Sequence, residues 1–332
     1  MSEQEKAQAL TTYFDLMSMN GGAEVYHVSR RLGILDATGE QPCSAHQVAE
    51  TCGLREAPVR LLLEALRGLR LLRCDGEAYT HTPVMQFLAG QYQDLGNEYW
   101  KYLPQFLESN VPLTAMDAPE QSETQYQKQV TALAWMMQPA AERAARLLGA
   151  GTDRRGLNII DVGAGAAVWS LAIAAHDTRA RVTAVDWPAI LEIATGHART
   201  CGLAERFTPL PGNYHDVGLP GETYDLAIVG NVTHIETEAG NRTLFQKLHA
   251  ALREGGEIAV FDVIPGQEEG DLARALYALG LAMRTENGRV YPREELEDLL
   301  TVAGFTAPRF TPLDVAPFTM GMILANKGKS SC

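Results

Sequence analysis

Two hydrophobic spacings divide this chain. Up to about residue 150, apolar positions recur every three or four residues, the period of helices that bury one face. From Leu157 onward, short apolar runs alternate with helical stretches, the pattern of a mostly parallel sheet covered on both sides. In the first part, residues 22–32 read as an amphipathic helix stopped at Gly33, and Ser44-Ala45-His46-Gln47 as a capping box opening a short helix that ends at Cys52-Gly53. Pro58 opens the next helix, with Val59, Leu62, Leu63 and Leu66 on one stripe. Asp75-Gly76 favours a hairpin turn with both central residues at positive φ. Helix, turn, helix and hairpin together predict a winged helix. In the second part the expected strands are Asn158–Val162, Arg181–Asp186, part of 204–211, 226–230 and 257–262. A last pair near 308–312 and 318–326 runs antiparallel, since no long helix separates them. The expected fold is therefore α/β: a Rossmann-like, mostly parallel seven-stranded sheet in residues 151–332, preceded by a helical winged-helix domain in residues 1–150.

Composition sets limits on this picture. The 332 residues suit two domains, and 46% hydrophobic with 21% charged residues is ordinary for globular proteins. A net charge of −13 disfavours phosphate backbones and anionic lipid, so neither nucleic acid nor membrane is an expected partner. Arg55, Arg60, Arg67, Arg70 and Arg73 on the winged helix would be phosphate contacts in a DNA-binding regulator; the acidic balance favours a solvated face instead. The polar start Met1-Ser2-Glu3-Gln4-Glu5-Lys6 lacks a signal-peptide pattern, so a cytoplasmic location is expected. Five cysteines without a C-x-x-C pair suggest neither zinc site nor disulfide framework, and no metal is expected.

The chemistry gathers where strands end. Leu157-Asn158-Ile159-Ile160-Asp161-Val162-Gly163-Ala164-Gly165, followed by Ala184-Val185-Asp186, reads as a strand closing on an acid, a glycine turn opening a helix, and a second strand closing on another acid. Such a turn lets a backbone approach an adenosine-containing cofactor, and the second acid accepts both ribose hydroxyls. A dinucleotide would call for a third glycine near Val168, and Asp161 before the first glycine would repel a pyrophosphate. A cationic donor bearing an ammonium group, S-adenosylmethionine, fits both facts. Trp187 follows the second acid, Asn213 and Tyr214 follow the third strand, Asn231 and His234 the fourth, and Asp262 the fifth. His234 is the candidate base, since a neutral imidazole takes a proton from a hydroxyl as its oxygen attacks a methyl group. Asp262 is placed to orient its tautomer. Trp100, Trp135, Met136, Met137 and Met283 are candidate walls of a pocket for a flat organic substrate.

The segments Asp161-Val162-Gly163-Ala164-Gly165, Asp186-Trp187, Gly212-Asn213-Tyr214, Asn231-Val232-Thr233-His234 and Leu252-Arg253-Glu254-Gly255-Gly256, in that order behind a winged helix, resemble the class I O-methyltransferases of the caffeate and acetylserotonin type over nearly the whole chain. The resemblance implies a homodimer built by the N-terminal domain, which also serves as a substrate lid. It further implies conversion of S-adenosylmethionine to S-adenosylhomocysteine, and a small aromatic or polyketide-like acceptor. By the same resemblance Gly163 faces the cofactor, Asp186 holds the ribose, Asn213 and Tyr214 flank the adenine, and His234 deprotonates the acceptor. The chain departs from the family at Ile235-Glu236, where Asp-Trp is common, and at Val290, where a second carboxylate often flanks the histidine. It departs again at Gly230, where a side chain often holds the methionyl carboxylate, and at Asn213, which replaces an acid but retains an acceptor oxygen for the adenine amine. Methylation at nitrogen or carbon, or a rearrangement, decarboxylation or hydroxylation that uses the same cofactor, remains open on this scaffold.

Overall fold

The computed structural model describes residues 2–39, 41–88, 93–117, 119–264, 272–313, 315 and 320–328. The chain forms two compact units, Met1–Glu98 and Tyr99–Cys332. The expected boundary at 150/151 thus moves upstream, for a packing reason. The long helix Pro119–Leu147 carries Met137, Ala140, Ala141, Ala144 and Ala145, which lie in the same apolar core as Ile159 and Leu171 of the sheet region. Small residues on that face let the helix lie close, so it folds with the sheet.

In the first unit, α1 (Glu3–Arg31) begins at a capping box between Ser2 and Glu5, far ahead of the expected start at residue 22. Its early apolar residues, Leu10, Tyr13, Phe14 and Met17 among them, are exposed. Next come α2 (Ile34–Ala37), β1 (Cys43–Ser44), α3 (Ala45–Cys52), α4 (Glu56–Gly68), β2 (Leu72–Asp75), β3 (Ala78–His81) and α5 (Met85–Leu88). The Ser44/Gln47 capping box forms, and Gly53 closes α3 in the left-handed conformation at φ 65°. Pro58 lies inside the first turn of α4, where its missing N–H is no loss, and Val59, Leu63 and Leu66 are buried. The hairpin turn is Gly76-Glu77, one residue later than expected, and of its residues only Gly76 takes positive φ. A glycine at the first central position suffices for that turn. β1 adds to the wing in the order β1-β3-β2, a strand too short to read from the sequence.

The second unit takes in α6 (Asn97–Ser109) from Tyr99 on, then α7 (Pro119–Leu147), β4 (Asn158–Val162), α8 (Val168–His176), β5 (Arg181–Asp186), α9 (Pro188–Thr200), β6 (Phe207–Pro211) and β7 (Tyr224–Gly230). It continues with α10 (Glu238–Ala251), β8 (Leu252–Val263), α11 (Leu272–Ala282), α12 (Arg293–Val302), β9 (Phe305–Pro312) and β10 (Met320–Lys327). The seven strands lie in the order β6-β5-β4-β7-β8-β10-β9, with β10 antiparallel to both neighbours. Phe318, expected in the last strand, lies outside the described residues. Two apolar layers cover the sheet. Ile159 enters the layer under α7, α8 and α9, while Ile160 and Val162 enter the layer under α10 and α12. The strand order reverses at β4, with β5 on one side and β7 on the other, which opens a crevice at their carboxyl ends. Among the described residues, no helix is long and apolar enough to cross a membrane.

Candidate cofactor and catalytic site

The glycine turn leaves β4 in left-handed steps: Gly163 at φ 63°, Gly165 at 56° and Ala167 at 57°, after which α8 begins. The amides of Gly163 and Ala164 both donate to Val185 O, at 2.9 and 3.2 Å, which ties the turn to β5. A Cβ on Gly163 would stand 2.5 Å from Val232 Cγ2 and 3.6 Å from the Tyr214 ring, so glycine is required by space as well as by conformation.

Asp186 at the end of β5 accepts from the amides of Gly165 (2.8 Å) and Trp187 (2.7 Å). Burial lifts its pKa to about 6 against the pull of these two amides, and Glu123 adds to the rise. Asp161 is 1% exposed and accepts from Ser170 Oγ at 2.5 Å. Burial pushes it to about 7, with Ser170 opposing and the nearby Asp186 adding. Two buried carboxyls thus lie at neighbouring strand ends, Asp186 bonded to the glycine turn and Asp161 to the helix that follows it. α7 supplies residues that the sequence did not flag. Glu123 accepts from the Ala189 amide at 2.9 Å, at the positive end of α9, and Tyr126 and Val130 pack with Ala166, Trp187 and Ile190.

On the other side of the turn, Tyr214 donates to Glu236 at 2.6 Å, and His215 Nε2 meets the same carboxylate oxygen at 2.9 Å. Burial, then Glu236, holds the Tyr214 phenol far above its usual range, so it remains a donor. Asn213 spends its side-chain oxygen on the His215 amide at 2.9 Å, shaping the loop. Glu236, one of the departures from the family pattern, therefore joins the loop after β6 to the segment carrying His234.

His234 is buried in a 3-10 turn, Thr233–Ile235. Its Nδ1 lies 2.7 Å from Asp262 Oδ1, while Thr233 Oγ1 donates to Asp262 Oδ2 and the Val263 amide to Oδ1 at 2.8 Å. Burial alone would raise Asp262, but the His234 imidazole and these donors outweigh it and hold the carboxyl below its usual range. The ionised acid makes Nδ1 the protonated nitrogen and leaves the Nε2 lone pair as the basic one. Tyr277 of α11 donates its hydroxyl toward Nε2 at 3.2 Å. It is a neighbour the sequence did not announce, because it sits among apolar residues at helical spacing. The His234 carbonyl accepts from the Arg289 amide at 2.8 Å, and Asn241 donates to Thr233 O at 3.0 Å, so the turn is clamped from two more elements. Of the candidate substrate walls, Trp100 and Trp135 are exposed, Met136 is half-buried, and Met137 and Met283 are buried.

Residues 106–306 match the model of the O-methyltransferase domain family. The demethylspheroidene O-methyltransferase of Cereibacter sphaeroides is 26% identical over 94% of this chain and 86% of its own length. An L-tyrosine C(3)-methyltransferase of Streptomyces lavendulae is 30% identical over 51% of this chain, which spans 47% of that relative. The crystal structure of human N-acetylserotonin methyltransferase with its S-adenosylmethionine shares the fold at a TM-score of 0.73 and 20% identity, covering 99% of this chain and all of that one. The chain belongs to the O-methyltransferase domain family, S-adenosylmethionine-dependent methyltransferases of the caffeate and acetylserotonin type.

Proposed function

We propose that this protein moves a methyl group from S-adenosylmethionine to a hydroxyl of a small aromatic or polyketide-like metabolite in the cytoplasm, as a homodimer, with His234 as general base. The observation that carries the base assignment is the His234–Asp262 pair, a buried imidazole whose tautomer an ionised acid sets. The residues present suit the cofactor: Gly163 keeps the turn free of a side chain where it runs against Val232 and Tyr214, and Asp161 and Asp186 place two carboxyls at the strand ends that a bound cation or hydroxyl donor would hold ionised. In this reading Asp186 holds the ribose hydroxyls, Asp161 faces the ammonium end, and Asn213, Tyr214 and Trp187 border the adenosine. When bound, the cofactor supplies an electrophilic methyl on a positively charged sulfur. His234 Nε2 then receives the acceptor's proton, and Asp262 stabilises the imidazolium. Such positioned base catalysis contributes about 10²- to 10⁴-fold, and holding the acceptor in line contributes more.

Catalytic and binding roles separate in one experiment. His234→Ala should lower kcat by about 10²- to 10⁴-fold and leave S-adenosylhomocysteine affinity unchanged by calorimetry. Asp186→Ala should weaken that affinity instead, and the opposite pattern would reverse both assignments. Carbon or nitrogen acceptance is the second reading, favoured by relatives named as an L-tyrosine C(3)-methyltransferase and an N,N-dimethyltransferase. NMR of the methylated product decides between them.

A further inference from the structure

The general-base reading leaves His234 one nitrogen to work with. Nδ1 is committed to Asp262 at 2.7 Å, and the residue is pinned at its backbone as well, its amide donating to the same acid at 3.3 Å and its carbonyl accepting from Arg289 at 2.8 Å. Nε2 has a single lone pair, in the plane of the ring, and the Tyr277 hydroxyl oxygen stands 3.2 Å from it. The two rings meet edge to face, with centroids 5.8 Å apart and planes at 79°. An acceptor hydroxyl that approaches the base therefore finds a phenol already in the place it would take.

Packing holds Tyr277 where it is. Its ring lies on the apolar layer that also takes in Ala134 and Met136 of α7. Just past α11 the chain is tied down: Met283 O and Arg284 O accept from the amides of Leu113 and Met116, both at 2.9 Å, and Arg284 Nε and Thr285 Oγ1 donate back to the carbonyls of Gly280 and Leu281, both at 2.8 Å. A phenol fixed at this point can accept one proton while it gives another. Resting on the general-base reading, we propose that Tyr277 is a further catalytic residue, a relay through which the acceptor's proton reaches His234. As the acceptor oxygen bonds the methyl carbon and the carbon–sulfur electron pair leaves with sulfur, the acceptor's proton passes to the Tyr277 oxygen and the tyrosine's own proton passes to Nε2. The phenol ends neutral, the imidazole ends as an imidazolium beside Asp262, and no further reactant is needed. The acceptor oxygen then sits one hydrogen bond farther from the imidazole than direct contact would place it.

Tyr277→Phe keeps the ring and removes the relay. Methyl transfer is measured from labelled S-adenosylmethionine with catechol, 2-naphthol and 1-hydroxyanthraquinone as acceptor probes, binding by calorimetry with S-adenosylhomocysteine, and the contact itself by 15N NMR of His234 in protein without acceptor. Tyr277→Phe should lower kcat by about 10²- to 10⁴-fold, the worth of a positioned proton transfer. It should leave S-adenosylhomocysteine affinity unchanged and move the Nε2 resonance toward that of an unbonded imidazole nitrogen. Because both side chains serve one proton path, the double variant Tyr277→Phe, His234→Ala should be no slower than His234→Ala alone. A Tyr277→Phe enzyme as fast as wild type, or faster, would make the tyrosine a cover that acceptors push aside and overturn the relay, as would losses that multiply in the double variant or an unmoved resonance. Affinity for S-adenosylhomocysteine lost together with kcat would assign Tyr277 to folding and overturn it too. A His234→Ala enzyme as fast as wild type would remove the base reading, and wild-type protein that methylates none of the three probes would remove the O-methylation reading; either takes the proposal with it.

Discussion

Asp161 and Asp186 are acids kept from water at two strand ends, and their titration reports on the site. A carboxyl lifted from 3.8 to about 7 (Asp161) or about 6 (Asp186) binds its proton more tightly folded than unfolded. The stability this brings is complete below the unfolded value and is lost as pH rises through about 6 and 7. A ligand whose ammonium meets Asp161 and whose ribose hydroxyls donate to Asp186 needs the ionised forms, so the ligand and the proton compete. S-adenosylhomocysteine should therefore raise the melting temperature more at pH 8 than at pH 5.5 in scanning fluorimetry, and Asp161→Asn should flatten that difference. A larger ligand effect at the acid end would show that Asp161 does not meet the cofactor's ammonium and that Asp186 does not accept from its ribose. Both acids were legible in the sequence because each closes an apolar run before a turn. Ser170, which donates to Asp161, and Trp169, which donates to Asn231, were not, because a helix brings them in from beyond the turn.

Among elements, the β4–α8 turn carries the narrowest tolerance. Gly163→Ala adds a Cβ 2.5 Å from Val232 Cγ2 at a residue with φ 63°, so either the turn or the segment leading to His234 must shift. Left-handed strain alone costs about 1–2 kcal/mol. A fall of several degrees in melting temperature, with at least tenfold weaker S-adenosylhomocysteine binding by calorimetry, is the expected result. Unchanged binding would mean that the turn does not border the cofactor. The glycine was visible in the sequence, but the reason for it lies 69 positions later, in Val232. Elements with a clear apolar pattern, α4 along one face and β4 on both, matched expectation. The first two-thirds of α1 lay outside the expected helix, and its apolar residues are exposed instead of joining a core. The wing turn moved by one residue because Gly76 alone could supply the positive φ.

At the scale of the whole molecule, α1 presents Leu10, Tyr13, Phe14 and Met17, all more than half exposed and spaced at i, i+3, i+4 and i+7 on one face. A continuous apolar face of this kind marks a protein interface, and with the family resemblance it supports the proposed homodimer. Sedimentation equilibrium should give two chains per particle, and the double variant Leu10→Glu, Phe14→Glu should give one. A wild-type monomer at micromolar concentration would discard the dimer.

The sequence by itself determined the alternation of strands and helices, the glycine turn, and the acids and histidine at strand ends, because those depend on local periodicity and conformation. Only tertiary structure decided which of these residues meet. Asp262 reaches His234 because β8 lies beside β7, Tyr277 comes over Nε2 on a separate helix, and Trp169 of α8 takes the space beside Gly230 and donates to Asn231. Each of these contacts joins chain segments whose distance in space is set by packing of the sheet and its helices, and no local pattern records that packing.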